Sequence, residues 1–304
     1  MKNLTLKQLR YFDALARHAH FGRAAEICAI SQPALSMQIK DLETELGSPL
    51  FERGAKEVRL TSFAETFHAR VVEILRNVDE LGELARAAQT GLAGRLRLGV
   101  IPTIAPYLLP RVISVVARQF PEVDLHVRET LTQRLLQELA EGALDAAIVA
   151  LPISEPSLTE TALFDEEFVL VRPQSDEGKP VPNAENLQKM RLLLLEEGHC
   201  FRDQALSFCS LPTAAPRDGL DSSSLSTLVQ MVAAGIGVTL IPQMAVPVEA
   251  RGALVDIARF AAPRPKRTIG MIWRKSNPLA DRLAQLSASV KDAAQEMQVR
   301  NADA

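Results

Sequence analysis

The 304-residue chain lacks several features that would place it in a functional class at once. No segment has the roughly 18 uninterrupted apolar residues of a membrane span, and the start Met1-Lys2-Asn3-Leu4-Thr5-Leu6-Lys7 has no apolar stretch like that of a secretory leader. A cytoplasmic protein without a membrane partner is expected. Three cysteines, an odd number in a long chain, exclude the disulfide framework of a small secreted domain. The five histidines show no metal-ligand spacing, Gly235-Ile236-Gly237 is a lone Gly-x-Gly, and no Walker motif is present. No metal and no cofactor are expected.

A strong charge of either sign is also missing, since the net charge is −3. The average conceals a modest asymmetry. Residues 1 to 60 carry nine Lys/Arg against seven Asp/Glu, and the remainder carries 25 against 30. This supports a nucleic-acid partner only weakly, because a binding face depends on local clustering more than on net charge. Length gives two or three domains with ample hydrophobic cores, and 47% hydrophobic with 23% charged residues is ordinary for a globular protein.

The first 60 residues read as three helices and a hairpin. Leu6, Leu9, Phe12, Leu15 and Ala16 mark one amphipathic helix, and Phe21, Ala24, Ala25 and Cys28 a second, short one. Ser31 caps a third, with Pro33 in its first turn, Leu35, Ile39, Leu42 and Leu46 on its apolar face and Gly47 at its end. Two compact helices joined by Ala29-Ile30 form a helix-turn-helix, and Arg53 to Arg59 reads as a basic wing. Ser31, Gln32, Pro33, Ser36, Met37 and Lys40, with Arg53, are the candidate DNA-binding residues. Gln32, Ser36, Met37 and Lys40 lie on the exposed face, within reach of base edges and phosphates in a major groove. The alternative is a protein-interaction module with a solvated polar face.

Residues 62 to 90 form one long helical pattern, with Phe67, Val71, Ile74, Leu75, Val78, Leu81 and Leu84 at three- and four-residue spacing. A single helix with such a stripe needs a partner. Gln89 to Gly94 reads as a hinge. From Arg95 the pattern becomes α/β. Strands are expected at Leu96 to Val100, Ala146 to Val149, Phe168 to Val171, Arg191 to Leu195, Val238 to Ile241 and Ile269 to Trp273. Helices are expected at Leu108 to Gln119, Thr132 to Glu141 and Leu225 to Ala234. The late strand can return to the first sheet, which implies two subdomains with a cleft between them. The expected organisation is a winged helix-turn-helix domain over 1–61, a dimerisation helix and hinge over 62–94, and a regulatory domain over 95–304. Within the last, subdomain I covers about 95–165 and 269–304, and subdomain II about 166–268.

Cys200 and Cys209 are the most informative pair. Gly198-His199-Cys200-Phe201-Arg202-Asp203-Gln204 reads as a turn opening a helix, with Cys209 near its far end. Nine residues of straight helix advance about 13.5 Å and rotate about 900°, which puts the thiols on opposite faces. A disulfide tolerates Cα atoms no more than about 7 Å apart, so bridging requires the helix to unwind. Such a pair suits a switch; the alternative is two buried apolar residues. A helix N-terminus and His199 beside Cys200 favour a thiolate there, whereas Cys28 reads as packing.

Phe21-Gly22-Arg23-Ala24-Ala25, Ser31-Gln32-Pro33-Ala34-Leu35-Ser36, Gln38-Ile39, Leu42-Glu43, Leu46-Gly47, Pro49-Leu50-Phe51-Glu52-Arg53 and Leu60-Thr61 together resemble LysR-type transcriptional regulators. The resemblance implies a regulatory region built like periplasmic solute-binding folds and a long helix that pairs with its copy in a homodimer or homotetramer. Double-stranded promoter DNA and RNA polymerase are the implied partners. Within that family, further runs resemble the hydrogen peroxide sensors across nearly the whole chain. These are Ile101-Pro102-Thr103, Pro106 to Pro110, Leu163-Phe164-Asp165-Glu166, Glu197 to Cys200 with Arg202 to Ala205, Phe208-Cys209, Met231 to Gly235 and Arg267 to Gly270.

By that resemblance Cys200 is oxidised by hydrogen peroxide, Cys209 resolves the sulfenic acid to a disulfide, and a cytosolic thiol reductant resets the pair. Thr103 and Thr132 match positions that hydrogen-bond the peroxide, His199 lies beside the thiol, Arg267 matches a cation favouring the thiolate, and Asp203 orients the network. Oxidative-stress genes are the implied targets. Each polar residue has an ordinary alternative: Thr132 caps its helix, Thr103 caps a loop, and Arg267 belongs to the solvated run Arg264-Pro265-Lys266-Arg267. The stretch Ser210 to Pro216 departs from the resembled pattern in being Pro/Ala-rich. Two rival functions remain open. One is a regulator that binds an anionic metabolite at the helix start Asp221-Ser222-Ser223-Ser224-Leu225. The other is a thiol peroxidase, although turnover as an enzyme is not expected.

Overall fold

The computed structural model describes residues 4–52, 58–90, 94–209 and 221–302. Arg53 and the stretch Ser210 to Pro216 lie outside the described residues. The chain divides into two compact units, Met1–Ala85 and Arg86–Ala304.

In the first unit, α1 (Leu6–His18), α2 (Phe21–Ile27) and α3 (Gln32–Leu46) pack on one another and on the start of α4 (Ser62–Thr90). Each boundary has a local cause. Thr5 and Gln8 form a reciprocal capping box at α1. Ser31 caps α3 by accepting from the Ala34 N–H, and Gly47, at φ 69°, ends it in the left-handed conformation. The core holds Leu9, Phe12, Leu15, Leu35, Ile39, Leu42 and Leu50. Phe51 bridges to Leu60, and the Glu52 N–H donates to the Arg59 carbonyl; the wing expected between them falls mostly outside the described residues.

The expected stripe on α4 is divided between two faces. Ala64, Val71 and Leu75 are buried in the N-terminal core, whereas Ile74 and Leu81 are 42% and 65% exposed. The first turns of this helix are therefore part of the helix-turn-helix core, and a separate apolar row faces outward.

The second unit begins with β1 (Gly94–Val100), α5 (Ala105–Gln119), β2 (Val123–Glu129), α6 (Thr132–Ala140) and β3 (Ala146–Leu151). It continues through β4 (Leu158–Pro173), α7 (Ala184–Leu187), β5 (Leu192–Leu193), α8 (Cys200–Phe208), α9 (Leu225–Ala233) and β6 (Val238–Pro242). The last elements are α10 (Val246–Glu249), β7 (Val255–Arg259), β8 (Lys266–Arg274) and α11 (Ala280–Ala302). Parallel pairs β1–β2 and β1–β3 mark βαβ crossovers, while β3–β8 and β4–β8 are antiparallel.

The 16-residue β4 belongs to both lobes. Its first part, Leu158 to Glu167, pairs with β8, and from Phe168 it pairs with β6 and β7. The chain returns at Lys266, where β8 begins. Two strands thus carry the chain between the strand group of β1, β2, β3 and β8 and that of β5, β6 and β7. The strand expected at Phe168 is the far end of β4, whose first part groups polar residues in two runs, Thr159-Glu160-Thr161 and Asp165-Glu166-Glu167, around Ala162-Leu163-Phe164. A further link joins the lobes: the Tyr107 hydroxyl of α5 donates to Glu249 Oε1 at 2.7 Å, and Ser226 donates to Oε2 at 2.6 Å.

Candidate functional site

Gly198, at φ 93°, makes the turn into α8 in a conformation that L side chains rarely adopt. His199 follows in extended conformation as the N-cap and Cys200 is the first helical residue. These three line a tight cleft, closed to a water-sized molecule in this conformation, with Ile101, Pro102, Thr103, Leu131 and Thr132. Two helix starts, α6 at Thr132 and α8 at Cys200, converge there, and their unpaired N–H groups favour negative charge. Thr132 Oγ1 is buried with no hydrogen-bond partner, and Leu131, not Thr132, occupies the N-cap. Thr132 is therefore not a cap, and its hydroxyl is free to receive a ligand.

His199 is buried, and burial lowers its pKa while Glu196 pulls it the other way. It is a neutral imidazole at pH 7, a hydrogen-bonding wall beside the thiol and not a cation.

Arg267 does not belong to a solvated run. Its side chain is fully buried, and the fork closes on Glu166 Oε2, with Nε at 2.9 Å and Nη2 at 2.8 Å. Nη1 donates to Thr103 Oγ1 at 2.8 Å and Nη2 to the Thr103 carbonyl at 3.1 Å. The guanidinium also lies over the Phe201 ring, 5.2 Å from its centroid. Burial pushes the Glu166 carboxyl up, while Arg267 and the Met244 N–H pull it the other way. Arg267 thus reaches the pocket through Thr103, and Thr103 is locked to a cation instead of capping a loop.

Asp203 is not brought to this pocket. It is exposed and lines a different groove with Phe168, Gln204, Ser207, Phe208, Pro265 and Lys266. The buried partners that hold the site are ones the sequence reading left unassigned. Glu166 anchors Arg267, and Arg202 anchors the first turn of α8 by donating to the Leu195 carbonyl at 2.7 Å and to Asp221 at 3.0 Å. Asp165-Glu166-Glu167 offered a signal: on a strand the middle of three acids faces away from its neighbours.

Cys209 sits at the other end of α8, as its C-cap. It is fully buried, and burial pushes its thiol up to about 11. Gln188 Nε2 donates to its carbonyl at 2.7 Å, and the adjacent Phe208 packs edge-on to Phe260. All three cysteines are free, and nine helical residues hold the Cys200 and Cys209 backbones about 13.5 Å apart. Cys28 is half-buried, with its pKa raised by burial and by Asp13.

In the first unit, Ser31, Gln32, Pro33, Ser36, Met37 and Lys40 are all exposed, while Leu35, Ile39 and Leu42 are buried behind them. Gln32, Ser36 and Lys40 recur every four residues and form one outward row. The Ser31 hydroxyl is already used by its cap. Among the described residues, no three His, Cys, Asp or Glu side chains are grouped to hold a metal ion, and no helix is long and apolar enough to cross a membrane.

Residues 6–65 match the family described as bacterial regulatory helix-turn-helix protein, lysR family, and residues 89–295 match the LysR substrate binding domain. A probable hydrogen peroxide-inducible genes activator from Streptomyces viridosporus is 43% identical over 303 residues, covering 97% of this chain and 96% of the relative. Among solved structures, a full-length OxyR variant from Pseudomonas aeruginosa is 40% identical with a TM-score of 0.75, covering 96% of both chains. A Corynebacterium glutamicum OxyR mutant with bound hydrogen peroxide is 35% identical with a TM-score of 0.66, covering 99% of this chain and 96% of that one.

Proposed function

Because the chain belongs to the LysR family of bacterial helix-turn-helix regulators, we propose that it is a DNA-binding transcriptional regulator switched by hydrogen peroxide at Cys200. The observation that carries this reading is the pocket itself. One thiol, one buried hydroxyl without a partner and one hydroxyl held by an arginine converge on one tight cleft, the three groups a peroxide bound there would touch. The Cys200 thiolate attacks one peroxide oxygen, so that an S–O bond forms as the O–O bond breaks. The other oxygen leaves as hydroxide and takes a proton to become water. Cys209 then attacks the sulfenic sulfur, forming the disulfide and releasing a second water.

That second step requires α8 to unwind, because the folded helix holds the two residues apart. Phe201 and Phe208 leave their present partners and repack, and the change passes to the DNA-binding units of a homodimer or homotetramer. The reaction is stoichiometric rather than enzymatic, with reset by a cytosolic thiol reductant and readout at promoter DNA through RNA polymerase in the cytoplasm. Asp203, exposed on α8, has no part in the first step.

Stoichiometric peroxide added to the reduced protein is expected to alter its footprint on a specific duplex. An unchanged footprint, with a response instead to an anionic metabolite under full reduction, favours the metabolite-binding rival. Sustained peroxide consumption with excess reductant favours the peroxidase. For the DNA contact, Gln32→Ala is expected to lower discrimination between specific and random duplex by roughly tenfold, as lost base contacts do. Competition binding at fixed salt reads this directly.

A further inference from the structure

Glu166 has no role in the reaction as written above, and its surroundings give it one. On β4, Asp165 and Glu167 face outward, to Lys266 and Arg264 respectively, while Glu166 between them faces inward, directly opposite Arg267 in the β4–β8 register. One carboxylate oxygen takes both Nε and Nη2 of Arg267, and the other accepts the Met244 N–H at 3.1 Å. The guanidinium is thereby fixed in rotation, and Nη1 is aimed at Thr103 Oγ1.

A guanidinium has donors only, so Thr103 accepts on that side and its single hydrogen must point elsewhere. We propose that Glu166 is a positioning residue that sets the polarity of Thr103: by clamping Arg267 it holds an N–H on one lone pair of the Thr103 hydroxyl, which turns the hydroxyl proton away from Arg267 and toward the Cys200 pocket. The inference rests on the peroxide reading and deepens it. Two hydroxyls line the pocket, and only one is committed. Thr103 donates, while Thr132, without a partner, accepts the hydrogen that the peroxide offers.

This matters at the bond being broken. As Cys200 sulfur bonds to one oxygen, both electrons of the O–O bond go to the other, which departs as hydroxide. The attacked oxygen keeps its own hydrogen in the sulfenic acid, and the hydroxide is neutralised to water by the proton that the Cys200 thiol released to solvent on ionising. A donor already aimed at the departing oxygen stabilises that charge as it grows. Alkylation by iodoacetamide uses the same thiolate but expels iodide, so it makes no use of that donor.

The test compares the two rates in the full-length reduced protein. Glu166→Gln leaves one of the two buried contacts donor against donor, and it removes the negative charge that balances Arg267. Peroxide oxidation of Cys200 should fall about tenfold, a modest share of what losing such a donor outright removes. Alkylation at the same pH should hold or rise, because the less balanced cation favours the thiolate. Glu166→Asp keeps the charge but shortens the reach, and should slow peroxide similarly with alkylation within about twofold. In a Thr103→Val background, Glu166→Gln should have no further effect on the peroxide rate, since the group it positions is gone. A parallel fall in both rates, or an undiminished effect without the Thr103 hydroxyl, overturns the proposal. If wild-type Cys200 alkylates normally yet reacts with peroxide no faster than free cysteine, it is the peroxide reading that fails, and the two failures are distinct.

Discussion

The two ends of α8 carry the same residue in opposite circumstances. Cys200 opens the helix in a pocket shared with two threonines and a neutral histidine, whereas Cys209 closes it in the apolar core with its thiol pushed up to about 11. At neutral pH a thiol of that pKa is ionised only to about one part in ten thousand. The difference teaches that order of reaction is set by position along one helix. In the proposed switch the end that faces the pocket meets the oxidant, and the buried end becomes a nucleophile only after its surroundings open.

Exchanging each end for serine breaks the comparison most severely. Cys200→Ser should abolish the peroxide-dependent change, slowing oxidation by at least about a hundredfold. Cys209→Ser should still react once and accumulate a sulfenic acid or its over-oxidised forms. A sulfenic-acid trap followed by peptide mapping distinguishes the two, and first labelling at Cys209 in the wild type reverses the roles.

Attacking the helix between the ends is the next largest effect. Ala205 is buried at mid-helix, and Ala205→Pro should cost the reduced form about 3 kcal/mol or more and the disulfide form much less. Urea unfolding of both forms reads the difference, and the variant should lean toward the oxidised behaviour even under reductant.

The buried thiol also makes stability depend on pH. Its folded pKa of about 11 lies above that of an unfolded cysteine, so between those values the unfolded chain has lost a proton that the folded chain keeps. The stabilisation is fully present below about pH 9 and is lost as pH rises through 11, amounting to roughly 2–3 kcal/mol. Melting curves of reduced wild type and Cys209→Ser should converge across that window, and parallel curves would contradict the burial argument. The smallest effect concerns the Cys209 backbone: Gln188→Ala removes the hydrogen bond to its carbonyl and should cost about 1 kcal/mol in the reduced form only.

Much of this contrast was legible in the sequence. Ser31 with Pro33 and Gly47 defined α3 because capping is local chemistry, and the turn through Gly198 announced α8 for the same reason. Thr103, Thr132, His199 and Cys200 were named by resemblance, and all four line one pocket. What stayed hidden depended on which way a side chain points once strands pair. Arg267 sat in an apparently solvated basic run, yet the β4–β8 register turns it inward onto Glu166 and leaves Lys266 outside. Asp203 looked like part of the same cluster because it is three residues from Cys200, but it is exposed to another groove. The polar first part of β4 carries too few apolar residues to read as a strand, although β8 covers it along its length. The stripe on α4 could not show that its residues divide between a core and an open face.

The central claim is that oxidation joins the two ends of α8 by dismantling it. Cysteine mapping by mass spectrometry, combined with hydrogen exchange before and after one equivalent of peroxide, tests it most directly. The account predicts a Cys200–Cys209 disulfide within one chain and loss of amide protection from Phe201 to Phe208. A disulfide formed with protection unchanged, or oxidation that leaves Cys209 a free thiol, would contradict it.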